Sequence, residues 1–172
     1  MQPVVLSIAG FDPSAGAGVT ADIKTAAAHG CFAVTSITAV TVQTTQGVRR
    51  VEPIQGEIVY ETLFELAADL PIDAVRIGML GSGEVAEAVA AFLETAHPPN
   101  VVLDPILRSS SGADLLDPRG AEILKTRLLP LATVATPNLA EAAALTGFPV
   151  SGIAEMRAAG RALLRLRARN AV

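Results

Sequence analysis

Residues 8–22 read I-A-G-F-D-P-S-A-G-A-G-V-T-A-D, and few backbone conformations accommodate that stretch. The apolar run at residues 4–8 in front of it predicts a buried strand. Within it, Gly10, Gly16 and Gly18 permit positive φ and close approach of the main chain to a ligand. Behind it a helical pattern opens, with Val19, Ile23, Ala26 and Ala27 on one face and Gly30 at the C′ position. Strand, glycine loop and helix in that order bring free backbone N–H groups to the tip of a sheet, where a small polar or anionic ligand fits. Asp22 falls inside the apolar stripe of this helix, so its carboxylate is expected to face inward and to need a partner.

The same alternation continues. Residues 32–42 are rich in Val, Ile and Thr and predict a strand ending at Gln43, with a turn at Gln46-Gly47 and a short edge strand over residues 48–54. Residues 57–70 carry helical spacing at Val59, Leu63, Leu66 and Leu70; residues 74–77 are the next strand, closing at Gly78-Met79. Ser82 is placed to cap a helix whose buried face is Val85, Val89 and Phe92. Residues 101–103 form a strand running into Asp104-Pro105. Asp117 and Pro118 open another helix as N-cap and N1. A strand is expected over residues 131–135, then a brief helix at residues 141–145 stopped by Gly147. Ser151 is expected to cap the last helix, reaching about Arg169, with Arg165, Arg167 and Arg169 at the negative end of its dipole. Asn170 then stands as a C′ residue and Ala171-Val172 as the first step of another strand, so the pattern reads as a domain truncated before a further βα unit. Such alternation predicts an α/β fold, a mostly parallel central sheet with helices on both faces. At 172 residues, 51% apolar and only 17% charged, one domain with a doubly covered sheet suits the composition.

Several function classes drop out. A net charge of −4 supplies no basic surface for phosphate backbones, which argues against a nucleic-acid partner. No apolar run approaches the roughly 20 residues that span a bilayer, and no basic leader opens the chain; a soluble, cytoplasmic protein is expected. The lone Cys31 reads as a small buried hydrophobe in a reducing compartment. Gly16 to Ala21 match G-x-G-x-x-A, but no acid lies between Asp22 and Glu52, where a dinucleotide site needs one. The G-K-[ST] of a P-loop is missing, His29 and His97 stand apart as helix-end residues, and Ser109 to Ser111 have no histidine base.

In open α/β sheets ligands sit beyond the C-terminal strand ends. Gly10, Gln43, Gly78-Met79, Asp104 and Asn138 all fall there. Each has two readings. Asn138 and Glu141 are a capping box, or a polar pair facing phosphate and hydrated Mg²⁺. Asp104 beside Pro105 is a turn former or a functional acid. Gln43 is a hydrogen-bonded strand end, or an amide offering one donor and one acceptor to an aminopyrimidine edge. Met79 is core filler or the soft wall of a ring site.

Together, residues 8–25, T-A-V-T-V-Q-T-T-Q-G-V (38–48), I-G-M-L (77–80), V-V-L-D-P-I-L (101–107), S-G-A-D-L-L (111–116) and T-P-N-L-A-E-A (136–142) resemble the hydroxymethylpyrimidine/phosphomethylpyrimidine kinases of thiamine biosynthesis. The resemblance implies a ribokinase-like fold and ATP- and Mg²⁺-dependent phosphorylation of 4-amino-5-hydroxymethyl-2-methylpyrimidine and then of its monophosphate. It implies that Gly10, Asp22, Gln43, Met79 and Ile106 line the pyrimidine pocket, and that Asp104, Asn138 and Glu141 serve the phosphate side, Asp104 and Glu141 holding the metal through water. Phe11 stands where many members have Ser, Ala15 where many have Gly, and Arg108, Ser109 and Ser110 where many carry an apolar residue and a lysine. The family's G-T-G-C helix start, its anion hole for the transferred phosphoryl group, has no counterpart in these 172 residues. No catalytic residue is therefore assigned, and weak pyrimidine binding with little turnover is expected of this span alone. An open sheet edge makes a homo-oligomer, a dimer, the expected assembly. A pyridoxal kinase and a non-catalytic pyrimidine-binding module are the alternatives.

Overall fold

A computed structural model describes residues 2–108, 112 and 114–172; the serine run at 109–111 lies outside the described residues. Among the described residues, six strands form one sheet in the order β3-β2-β1-β4-β5-β6. They are β1 (Val4–Phe11), β2 (Phe32–Thr44), β3 (Gly47–Pro53), β4 (Ala74–Ile77), β5 (Val101–Leu103) and β6 (Val134–Ala135). Only β3 runs antiparallel, as the second arm of a hairpin with β2; the other pairings are parallel. From β1 the chain steps outward to β2 and β3, then crosses back to place β4 on the other side of β1. The strand order thus reverses between β1 and β4, and a crevice opens at the C-terminal ends of those two strands.

Among the described residues, seven helices and a π-helical turn accompany the sheet: α1 (Gly18–Ala28), α2 (Gly56–Asp69), α3 (Gly83–Ala96), α4 (Pro118–Ile123), the π turn Leu124–Leu128, α5 (Leu129–Leu131), α6 (Leu139–Thr146) and α7 (Ile153–Arg165). Alternate residues of a strand point to opposite faces. Leu6 and Ile8 of β1 are fully buried in one cluster with Leu63 of α2 and Val85, Val89 and Phe92 of α3. Ser7, between them, instead donates a hydrogen bond to Asp22 of α1, so α1 covers the opposite face. Burying the Phe92 side chain contributes about 1.5–3 kcal/mol, and Phe64 meets its ring edge-on at 5.5 Å between centroids. Local signals set the helix starts. Ser82 accepts from the Val85 N–H, and Asp117 accepts from the Gly120 N–H while its second oxygen takes the Gly83 N–H, tying the starts of α3 and α4 together.

Four expectations are corrected. Residues 131–135 do not form one strand: Leu128 and Leu129 are buried and carry the helical course to Leu131, and Pro130 opens the short α5, leaving only Val134–Ala135 extended. Short apolar runs are ambiguous in this way because periodicity cannot separate a buried strand from a buried helix end. The last helix is capped by Gly152 rather than Ser151 and ends at Arg165, with Arg167 in the left-handed region at φ 73. Asn170 is no helix terminus. Its carbonyl accepts from Ala135 N–H, its side-chain amide donates to the Thr133 carbonyl, and Ala171 pairs in parallel with Ala135. On α1 only Val19 is buried, Ile23 is 41% exposed, and Cys31 beyond it is half-exposed rather than core.

Candidate functional site

A cavity of about 510 Å³ opens at the strand-order reversal. Each strand delivers its residues there at or just beyond its C-terminal end. Gly10 closes β1, packed directly against the Met79 side chain that follows β4. Gln43 enters from β2, at a bulge where Val42 pairs with Arg50 but Gln43 with Val48. The extra residue, Arg49, lies on β3, so β2 keeps its alternation through Gln43. Asp104 and Ile106 arrive after β5, Asn138 and Glu141 after β6, and Asp22 from α1. All eight residues singled out in the sequence therefore border one hollow.

The glycine loop departs from expectation. Its N–H groups are not free: the buried Asp12 carboxylate accepts from the main chain of Ser14 at 2.8 Å, Gly16 at 3.1 Å and Ala17 at 2.9 Å, and from the Ser14 hydroxyl at 2.7 Å. Burial alone would push this acid up, but the Ser14 hydroxyl and the three N–H groups together outweigh it and hold Asp12 below the ordinary carboxylate range. The anion seat is filled by the chain's own carboxylate. Gly18, at φ 58, is required here, because a Cβ would overlap the Gly10 carbonyl.

Elsewhere in the cavity lining the charges are arranged differently. Arg76 of β4 donates to Asp22 at 3.3 Å and to Asp104 at 2.8 Å, bridging the two acids. Gly78 makes this possible, since any side chain there would overlap the Arg76 guanidinium. Burial pushes Asp104 up; Arg76 opposes the shift and the Asp22 charge adds to it, with the net result upward. Burial likewise raises Glu141, whose bond from the Asn138 N–H pulls down while the Asp104 charge pushes further up. Asn138 and Glu141 do form the capping box of α6: Glu141 N–H donates to the Asn138 side chain at 3.0 Å and Asn138 N–H to Glu141 at 2.9 Å. The cap reading holds, and the same two residues border the cavity.

The profile of the family described as phosphomethylpyrimidine kinase matches residues 12–172. The chain belongs to that family. It is 46% identical over 162 residues to the hydroxymethylpyrimidine/phosphomethylpyrimidine kinase of Salmonella typhimurium, an alignment covering 94% of this chain and 61% of that relative. This chain thus spans less than two thirds of that relative's length. Among solved structures, the phosphomethylpyrimidine kinase of Clostridium difficile superposes with a TM-score of 0.89 at 38% identity, covering 96% of this chain and 71% of that one. The pyridoxal kinase of Staphylococcus aureus, in complex with AMP-PCP and pyridoxal, gives 0.85 at 31%, covering 99% and 61%. The fold is ribokinase-like. No described helix is long and apolar enough to cross a membrane.

Three residues of this kinase-family cavity escape a sequence reading. Arg76 is the only charged residue of an otherwise apolar four-residue strand, and an inward Asp22 lacking a partner was the clue to it. Asp12 sits in D-P-S, an Asx-turn signal read only as loop. Thr41 carried no signal beyond β propensity, yet its buried hydroxyl contacts both Phe11 and Gln43. Arg108 pairs with the exposed Asp114 at 2.7 Å at the rim.

Proposed function

We propose that this chain supplies the pyrimidine-binding part of an ATP-dependent kinase that phosphorylates 4-amino-5-hydroxymethyl-2-methylpyrimidine and then its monophosphate, in the cytoplasm and as a homodimer. The observation that carries the reading is that Gly10, Asp22, Gln43, Met79 and Ile106 line the same cavity as Asp104, Asn138 and Glu141. A flat ring is accommodated between the Gly10 main chain, Met79 and Ile106, Gln43 reads its polar edge, and Asp22 takes a hydroxyl of the ligand. Asp104 and Glu141 suit a hydrated divalent cation: each is driven toward protonation by burial and by a neighbouring negative charge, and a cation relieves both costs. Among the described residues no group of three potential ligands gathers, which fits a metal held through water and nucleotide phosphates rather than in a protein cage. Bound there, Mg²⁺ would neutralise charge on the transferred phosphoryl group.

The test is a coupled assay of ATP consumption with the aminopyrimidine and with pyridoxal as acceptors, beside calorimetry of both rings with and without ATP-Mg²⁺. Pyrimidine-dependent turnover, or pyrimidine binding strengthened by ATP-Mg²⁺, supports the reading. Preference for pyridoxal supports the other vitamin-kinase chemistry, and pyrimidine binding that neither turns over nor responds to ATP-Mg²⁺ identifies a binding module. No affinity for either ring overturns the proposal.

A further inference from the structure

Thr41 lies on β2 two residues before Gln43, so both side chains point to the same side of the strand. Its hydroxyl is buried, 2.9 Å from the Phe11 carbonyl and 3.2 Å from the Gln43 amide oxygen. A hydroxyl has one proton to donate and two lone pairs with which to accept. The Phe11 carbonyl, on a main chain fixed by β1–β2 pairing, can only accept, and it is the nearer partner. With that proton committed to Phe11, two oxygens would face each other at the second contact. Half a turn of the Gln43 amide exchanges its oxygen and nitrogen without moving any other atom, and the side-chain N–H then donates to a Thr41 lone pair.

We propose that Thr41 is a positioning residue that locks the Gln43 amide in one orientation, so that the cavity reads the order of hydrogen-bonding groups on its ligand: a ring amine beside a bare ring nitrogen is accepted, and a ring carbonyl beside a ring N–H is rejected. In the locked state one amide N–H is on Thr41. The amide oxygen and the second N–H form an acceptor–donor edge, complementary to an amine and its adjacent ring nitrogen. A ring carrying an oxo group at that position presents acceptor and donor reversed and meets a mismatch at both contacts. Without Thr41 the amide turns freely and serves either ring. The bulge opposite Gln43 and the pairing of Phe11 with Val40 hold the three residues in this relation. Discrimination is thus assigned to a residue behind the one that touches the ligand.

This inference rests on the pyrimidine reading above, and two measurements separate their failures. Calorimetry compares 4-amino-5-hydroxymethyl-2-methylpyrimidine with its 4-oxo counterpart on the wild-type chain, Thr41→Val and Thr41→Ser. The wild type is expected to favour the amino ring by about tenfold or more. Thr41→Val, nearly equal in volume, is expected to bring the ratio close to one, and Thr41→Ser to restore it. A folded Thr41→Val that keeps the full ratio, or a wild type that prefers the oxo ring, overturns the proposal. The second measurement needs no ligand: hydrogen exchange of the Gln43 side-chain amide by NMR, assigned by its loss in Gln43→Leu. Slow exchange in the wild type and Thr41→Ser, released in Thr41→Val, supports the lock even if neither ring binds. Exchange in the wild type as fast as that of the exposed Gln46 overturns it, and this comparison stands even if Thr41→Val does not fold.

Discussion

Asp12 and Asp104 border the same cavity and have been driven in opposite directions. Asp12 follows the first strand with hydrogen-bond donors around it, and its charge is stabilised below the ordinary range. Asp104 follows the fifth strand with burial and the Asp22 charge against it, and only Arg76 in its favour; its charge is disfavoured. The first carboxylate is spent on structure: it folds residues 12–17 into a closed loop and occupies the N–H groups that would otherwise bind an anion. The second, with Glu141, is left in want of positive charge. Two acids of identical chemistry are thereby divided between scaffold and site, and the division follows from the number and sign of their neighbours.

The largest expected effect falls on the scaffold side. Asp12→Ala leaves several loop donors without an acceptor and should lower stability by about 2–4 kcal/mol at pH 7, measured by urea unfolding. Because the folded-state value of Asp12 lies below the unfolded one, its contribution is complete above the model-peptide value of 3.8 and fades as the pH falls through the lower folded value. The cost of the substitution should shrink over the same range. An unchanged unfolding midpoint would remove Asp12 from the scaffold and erase the contrast.

Arg76→Ala leaves Asp22 and Asp104, each roughly a quarter to a third exposed, without their shared cation. Its cost should be about 1–3 kcal/mol at pH 7, between the values for buried and surface pairs. The Asp104 shift is opposite in direction to that of Asp12, but the cost of the substitution runs the same way with pH. The folded Asp104 value is already raised, so the penalty is absent below 3.8 and grows as the pH rises through the folded value. Urea midpoints at pH 4 and pH 7 should therefore lie closer to wild type at the lower pH. Equal losses at both would show that Arg76 acts through packing and not through charge.

Glu141→Gln preserves the capping box, because an amide oxygen accepts the Asn138 N–H as a carboxylate does. It removes a charge that burial disfavours, and stability should rise by about 0.5–1 kcal/mol at pH 7. That gain should vanish below the reference value of 4.5 and appear as the pH climbs through the raised folded value. If the cation reading is right, magnesium should stabilise the wild type in thermal melts and stabilise this variant less. Loss of stability at every pH would place Glu141 with Asp12 on the scaffold side.

The smallest effect concerns Ala15, held at φ 56 within the Asp12 loop. Ala15→Gly relieves the left-handed backbone but adds unfolded-state entropy, and a gain of about 0.5 kcal/mol remains. A loss would mean that the loop depends on the methyl group for packing.

Much of the fold was legible because its signals are local. The starts of α3, α4 and α6 are announced by Ser82, Asp117 and Asn138 in the chain itself, and each cap is satisfied by the N–H three residues ahead, except the second oxygen of Asp117. The glycine loop was legible as a loop, but its polarity was not. D-P-S does not reveal that Asp12 turns back onto the N–H groups of Gly16 and Ala17. Residues 131–135 were misread because neighbouring Leu128 and Leu129 are drawn into the core as helix.

By itself the sequence determined the alternation of strands and helices, the caps, and which polar residues fall at strand ends. Each of these depends on spacing along the chain and on propensities expressed within a few residues. Only the tertiary structure decided which of those strand ends adjoin. The return of β4 to the far side of β1 brings Arg76 to Asp22, 54 positions away, and places Gly78 where the guanidinium passes. The β1–β2 register brings Phe11 to Thr41. A carboxylate's charge and an amide's orientation are set by atoms within a few ångströms, and those atoms are chosen by register and crossover, which no local run of residues encodes.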